Sequence, residues 1–238
     1  MKFAYLIEPP FNDRTESGDI VGCDVDLARH VFAELGIAAA EFVETSFGEL
    51  LPGLNDGRWR MTTGLFATDL RREAADFSRP IWALPDGLLV RDGNPLGLTG
   101  YRSLAASETG ILAVIRDQFQ HHSARKFGVP DDRIAVFETY SDAATAVRDG
   151  HADAYASVAR AHAGYLDRHS GLVLDVIEVP ADEKPPAFGC FAFAKGDDRF
   201  REEVDRVLAA YLGSPDHRRM MHRYGFSDRE VDLVVAAR

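Results

Sequence analysis

Two separate stretches of this chain alternate short apolar runs with amphipathic ones, and that alternation limits the fold more than any other feature. Residues 3–7 are an apolar run stopped by Pro9 and Pro10, which donate no ladder hydrogen bonds. Over 24–35, Val25, Ala28, Val31, Phe32 and Leu35 share one helical face, and Gly36 follows as a C-terminal stop. A second strand is expected over 41–44. Ser46 and Glu49 have capping-box spacing ahead of Leu50, Leu51 and Leu54. A third strand is expected from Met61 to position 66. The order β-α-β-α-β builds a parallel sheet with helices on both faces.

The pattern restarts at 111–115. Helices are expected over 117–127, 141–150 and 159–169, with strands over 134–137, 152–157 and 172–179. Between the two runs, 81–90 reads as an extended connector broken by Pro85-Asp-Gly87, and 91–97 as a loop fit for a domain boundary. A second connector spans 178–188. The chain then offers a strand at 188–193 and a strong helix at 199–212. Another helix starts at Ser214 with Pro215 in the first helical position, and a short helix closes the tail. Periodicity alone supports two α/β halves.

Composition excludes some functions. Lys and Arg total 27 against 38 acids, a net charge of −11, which argues against the basic footprint that nucleic-acid binding needs. No apolar run approaches the ~18 residues of a membrane span. Cys23 and Cys190 are expected as buried thiols, one bridge being the alternative. No Cys/His cluster has zinc spacing, and His121 and His122, adjacent on a helix, point about 100° apart. No metal or cofactor is expected. Met1-Lys-Phe enters a strand at once, without a leader's apolar core or cleavage site, so export would require a leader outside this numbering and a cytoplasmic location fits as well.

The stretch Gly64-Leu-Phe-Ala-Thr-Asp-Leu-Arg71, continuing to Pro80, carries the most chemistry. Thr68 is placed to cap a helical turn. Gly64 has no Cβ and admits close approach. Arg71 follows one turn later, and a guanidinium is a planar fork of donors for a carboxylate. Locally, a surface helix start with an ordinary ion pair fits equally. The stretch resembles the signature of the family 3 extracellular solute-binding proteins, the amino-acid receptors of ABC importers. Their order G-x-[ST]-x-T-x-x-R, leading into [DE]-F-S-x-P, is met here by Gly64, Phe66, Thr68, Arg71 and Asp76-Phe-Ser-Arg-Pro80. Val21-Gly-Cys-Asp-Val-Asp-Leu27 is similar to the family's G-[FY]-D-[VI]-D-L block.

The resemblance implies a two-lobed periplasmic-binding-protein-like α/β fold with two hinge crossovers, each lobe a mostly parallel sheet flanked by helices. Lobe 1 would be 1–90 with 187–238, and lobe 2 would be 91–186. It implies a small carboxylate ligand such as an amino acid, a membrane ABC transporter permease as partner, a monomer and a periplasmic location. Arg71 would grip the ligand's carboxylate, and Gly64 would offer a backbone N–H. Phe47 would form an aromatic wall, although locally it also fits a hydrophobic staple. In the second half Arg116, Asp117 and Gln118 lie at a helix start, where unpaired N–H groups favour anions. Relatives carry a Gly-Thr or Gly-Ser pair there; Arg116 and Asp117 either both face solvent or supply one specificity contact.

Three departures from the family pattern matter. Phe66 stands where a Ser or Thr hydroxyl is usual. The segment between Arg60 and Gly64 is one residue shorter. Val158 stands where amino-acid binders carry the acid that pairs with the ligand's ammonium, and an ammonium buried without an acceptor costs several kcal/mol. The ligand is therefore a carboxylate without an α-amino group, or another acid substitutes: Glu8 first, Asp117 second. Tyr155 and Ser157 remain as donors. A receptor needs no catalytic residue. The alternatives are a cyclohexadienyl-dehydratase-like enzyme on the same scaffold and a ligand-sensing module of a longer chain.

Overall fold

The structure is a computed structural model and describes residues 1–237. It divides into two compact units, Met1–Ala83 with the residues from Phe188 onward, and Leu84–Ala187. The first unit opens with β1 (Lys2–Tyr5), the short pair β2 (Asp13–Arg14) and β3 (Ile20–Val21), and α1 (Cys23–Glu34). Next come β4 (Glu41–Glu44), a 3-10 turn (Phe47–Glu49), α2 (Leu50–Asn55) and β5 (Met61–Phe66). After them stand α3 (Asp69–Ala74), β6 (Ala75–Phe77) and β7 (Trp82–Leu84). Gly36 stops α1 at a φ of 68°, a conformation open to glycine. The capping box expected at Ser46 and Glu49 does not form. Ser46 makes no side-chain cap, since Glu49 N donates to the Ser46 backbone carbonyl at 3.2 Å, and the Glu49 carboxylate is taken by Arg58 at 2.5 Å.

The second unit holds β8 (Asp86–Arg91), α4 (Tyr101–Ala106), β9 (Leu112–Ile115), α5 (Phe119–Lys126) and β10 (Ile134–Phe137). It continues with α6 (Tyr140–Arg148), β11 (Ala154–Val158), α7 (Ala159–Arg168) and β12 (Leu174–Glu178). Its sheet runs β10-β9-β11-β8-β12. β10, β9 and β11 pair in parallel, whereas β8 pairs antiparallel with both β11 and β12. The segment read as a connector is thus a near-central strand, and Leu88 and Val90 enter the core with Tyr101, Leu104, Leu112 and Val114. The helix expected from 117 begins at Phe119, because Asp117 adopts a φ of 63°.

The chain returns to the first unit with β13 (Ala187–Ala194), α8 (Asp198–Tyr211), α9 (Pro215–Arg223) and α10 (Asp228–Ala236). The sheet order is β4-β1-β5-β13-β6, with β7 also on β13. β1 pairs in parallel with β4 and β5, and β13 runs antiparallel to β5 and β6. The α/β class with helix-flanked sheets is the one read from the sequence. Each sheet joins a parallel part to an antiparallel part, and the antiparallel strands adjoin the two crossings at Ala83/Leu84 and Ala187/Phe188. Cys23 and Cys190 are buried free thiols.

Both crossing segments contribute to one buried ion pair inside the second unit. Asp86 and Lys184 bond to each other with side chains 1 % and 10 % exposed. The Asp86 carboxylate also accepts Tyr101 Oη at 2.5 Å and Gln120 Nε2 at 3.1 Å. Lys184 Nζ lies 4.5 Å from the Phe119 ring centroid. Burial pushes the Lys184 ammonium below its ordinary range, against the pull of Asp86. Breaking a buried pair leaves the remaining charge uncompensated. Lys184→Ala is expected to cost about 3 kcal/mol, the low end for such a pair, since Tyr101 and Gln120 still serve Asp86. Adding Asp86→Leu to Lys184→Met should not recover it, because the buried Tyr101 Oη and Gln120 Nε2 then lose their acceptor. Chaotrope melts read both, and a loss below about 1 kcal/mol for the single variant contradicts the assignment.

His162 gives a pH signature. It is fully buried, with Nε2 3.1 Å from the Gly87 carbonyl and Nδ1 2.5 Å from Tyr140 Oη. A carbonyl only accepts, so Nε2 carries the proton and Nδ1 accepts from the tyrosine. Burial lowers the pKa from 6.5 to about 4. The unfolded chain therefore holds more protons between those values, and stability falls as pH falls through that window. The contribution is complete above about 6.5 and lost below about 4, some 3 kcal/mol in all. Melts of wild type and His162→Gln across pH 7 to 4 should show a shallower slope in the variant; equal slopes contradict it.

Candidate functional site

The first unit builds its candidate surface at the end of β5. Thr68 caps α3, its hydroxyl accepting Arg71 N at 3.3 Å. The cap turns the chain so that Arg71 folds back over the strand it has left. Arg71 Nη1 donates to the Phe66 carbonyl at 3.0 Å, and its guanidinium carbon lies 5.2 Å from the Phe47 ring centroid. Arg71 is half-buried, where a guanidinium stays charged. Phe47 has two contacts of note. It packs beside the cluster of Leu50, Leu54 and Trp59, and it also carries Arg71.

Beneath this surface lies Asp24, 1 % exposed at the start of α1. One carboxylate oxygen accepts Thr63 Oγ1 at 2.6 Å and Gly64 N at 2.7 Å; the other accepts Trp82 Nε1 at 3.0 Å. Asn12 Nδ2 donates to Thr63 Oγ1 at 2.7 Å, so that hydroxyl is fixed from both sides. Burial raises the Asp24 pKa, and these donors hold the ionised form against it. The N–H of Gly64, expected to meet the ligand, is therefore engaged by Asp24. The residue supplies space instead: a Cβ there would stand 2.7 Å from Trp82 Nε1.

Trp82 is the centre of an aromatic group. Its indole covers Gly64 on β5 and Gly189 on β13, where a Cβ would come within 2.2 Å of the ring. Phe66 meets it edge-on at 5.4 Å and Phe11 lies at 5.2 Å. Phe66, 7 % exposed, thus replaces a hydroxyl with a ring seated on another ring. Glu8 is half-buried, and its backbone closes a turn: Glu8 N donates to Asn12 O at 2.9 Å and Phe11 N to Glu8 O at 3.0 Å.

In the second unit, Arg116 is exposed and pairs with Glu138 at 2.6 Å, which gives it a surface role. Asp117 is exposed in its left-handed conformation, and Gln118 beside it is buried. Ser157 and Val158 are 2 % and 6 % exposed at the end of β11. Tyr155 is fully buried, its ring 4.9 Å from Tyr140 and 5.1 Å from His162, so it serves as core instead of the donor surface expected of it. Val158 is the register partner of Asp86, whose carboxylate is already served by Lys184, Tyr101 and Gln120.

The structure brings together Arg71, Phe66 and Phe47, which the sequence reading singled out, and sets beside them Asp24 and Trp82, which it did not. The Gly-Cys-Asp-Val-Asp block was the available signal, since an acid on the apolar side of α1 requires donors. Nothing local marked Trp82, because its slot is made by glycines 125 positions apart in the chain. Among the described residues, no cluster of three His, Cys, Asp or Glu side chains is placed to hold a metal ion.

Comparison with known proteins follows this geometry. A probable amino-acid ABC transporter periplasmic-binding protein, y4tE of Sinorhizobium fredii, is 28% identical over 95% of this chain and 77% of its own. The arginine-binding protein ArgT of Corynebacterium glutamicum is 27% identical over 95% of this chain and 74% of its own. Among solved structures, EhuB in complex with hydroxyectoine superposes with a TM-score of 0.88 at 28% identity, covering 100% of this chain and 94% of that one. Residues 2–227 match the model of the bacterial extracellular solute-binding proteins, family 3, and the chain belongs to that family.

Proposed function

We propose that the protein is the solute receptor of an ABC importer, outside the cytoplasm and without turnover, and that Arg71 holds its ligand by a carboxylate. The single observation that carries the proposal is the Arg71 fork, fixed between the Phe66 carbonyl and the Phe47 ring. A guanidinium braced by a carbonyl and a ring face is already oriented, so less freedom is lost when it takes a carboxylate. The partner that follows is a membrane permease, and the receptor acts as a monomer.

The ligand class follows from the cation. A primary ammonium needs an ionised acceptor, and Val158 offers none. Its neighbour Asp86 is consumed inside the second unit. Phe47 and Phe66 instead offer ring faces, which attract a delocalised cation by about 0.5–2 kcal/mol without demanding a counter-charge. A small cyclic amidinium carboxylate of the hydroxyectoine type fits this chemistry better than an α-amino acid. EhuB, crystallised with hydroxyectoine, adds support. Where an acid is to substitute, Glu8 is the first candidate and Asp117 the second.

A thermal-shift panel of hydroxyectoine, L-arginine, L-histidine and L-glutamine tests the reading. A ligand at 100 times its dissociation constant adds about 2.7 kcal/mol, a rise of several degrees. Hydroxyectoine is expected to shift wild type, and Arg71→Ala to weaken binding roughly 30-fold or more, as when one partner of a desolvated charge pair is removed. A shift by the amino acids alone, an Arg71→Ala variant that responds like wild type, or turnover of prephenate or arogenate would overturn it.

A further inference from the structure

The Asp24 network lies one layer beneath the surface described above, and no residue in it needs to touch a ligand. We propose that Asp24 is a positioning residue for ligand recognition, acting through Trp82 and Gly64 on Phe66 and Arg71. The proposal rests on the functional reading above.

Every step is a direct contact. The carboxylate fixes Gly64 N at 2.7 Å and Thr63 Oγ1 at 2.6 Å, and with them the course of β5 just before Phe66. Its other oxygen fixes the indole of Trp82 at 3.0 Å. An indole has a single N–H, so this bond sets the rotation of the ring in the slot that Gly64 and Gly189 leave open. Phe66 rests edge-on against the ring so placed, at 5.4 Å. The Phe66 carbonyl receives Arg71 Nη1 at 3.0 Å. The fork and the ring face on which the ligand depends are therefore both referred to one buried carboxylate.

The same chain of contacts accounts for the departure at position 66. A hydroxyl there would need no ring partner. A phenyl ring needs a fixed surface to point in one direction, and Trp82 supplies it only while its N–H is anchored. Asp24 accepts only, which suits a site ringed by donors. An asparagine would turn its NH2 toward Gly64 N–H and Thr63 or toward Trp82 N–H, so one side of the network must let go.

The test uses full-length protein, with Trp59→Phe as background so that Trp82 is the only emitting indole. Hydroxyectoine and L-arginine are titrated by calorimetry and by Trp82 emission, well below the melting temperature. Asp24→Asn is expected to raise the dissociation constant at least tenfold for the probe that wild type binds, and to abolish the ligand-induced change in Trp82 emission. A merely structural role would lower the melting temperature and leave both readouts in place. Trp82→Phe, read by calorimetry alone, keeps an aromatic ring and leaves the Thr63, Gly64 and Cys23 donors to Asp24 in place, so it guards against a variant that fails to fold. It is expected to weaken binding at least threefold. Both variants binding within twofold of wild type overturns this role while leaving Arg71 untouched. A wild type that binds none of the four panel compounds overturns the functional reading and this role with it.

Discussion

A carboxylate buried at 1 % exposure must find donors or neutralise, and Asp24 finds them on elements far apart in the sequence. Thr63 and Gly64 come from β5, and Trp82 from the segment that leaves the first unit. The first N–H groups of α1 are themselves taken by the carbonyls of Pro10 and Phe11. Helix start, strand end and departing strand are thus tied at one point. The candidate surface of the first unit inherits its geometry from that point.

The second unit solves a related problem with a full charge pair. Asp86 and Lys184 are contributed by the two crossing segments, and Tyr101 and Gln120 complete the carboxylate's shell. The network fixes the start of α5, because Gln120 binds Asp86 and the Phe119 ring lies against Lys184. Antiparallel pairing of β8 with β12 continues past the strand ends, where Val179 N donates to Asp86 O at 2.9 Å. Asp86, the register partner of Val158, therefore has its carboxylate engaged inside the second unit.

Much of this fold was legible because hydrophobic periodicity dominates helices and buried strands. The α1 face from Val25 to Phe32, the glycine stop at Gly36 and the Pro215 helix start all rest on local physics. The misreadings share a cause. Residues 81–90 looked like a connector because Pro85 interrupts them, yet their partners, β11, β12 and β13, lie from 64 positions (Val90 to Ala154) to 108 positions (Ile81 to Gly189) away in the chain and are invisible to a local window. The Ser46–Glu49 box did not form because Glu49 gives its N–H to the Ser46 carbonyl and its carboxylate to Arg58. The site divides in the same way. The capped turn that carries Arg71 could be read from its residue types, whereas Asp24 and Trp82 acquire their roles only through contacts across the sheet. Gly64 was singled out for its N–H and matters for its missing Cβ.

In the first unit the Arg71 fork stands against the Phe66 carbonyl and the Phe47 ring, and in the second Val158 ends β11 opposite Asp86, whose carboxylate is engaged by Lys184, Tyr101 and Gln120. The chain belongs to a family of solute-binding proteins, and the proposed grip on a carboxylate rests on Arg71. Removing the ligand's charge, instead of the protein's, tests the central assignment most directly. Calorimetry would compare hydroxyectoine with its methyl ester on wild type and on Arg71→Ala. If Arg71 holds the carboxylate, the ester binds wild type far more weakly than the acid, and the variant no longer distinguishes the two. An ester that binds wild type as tightly as the acid would contradict the account.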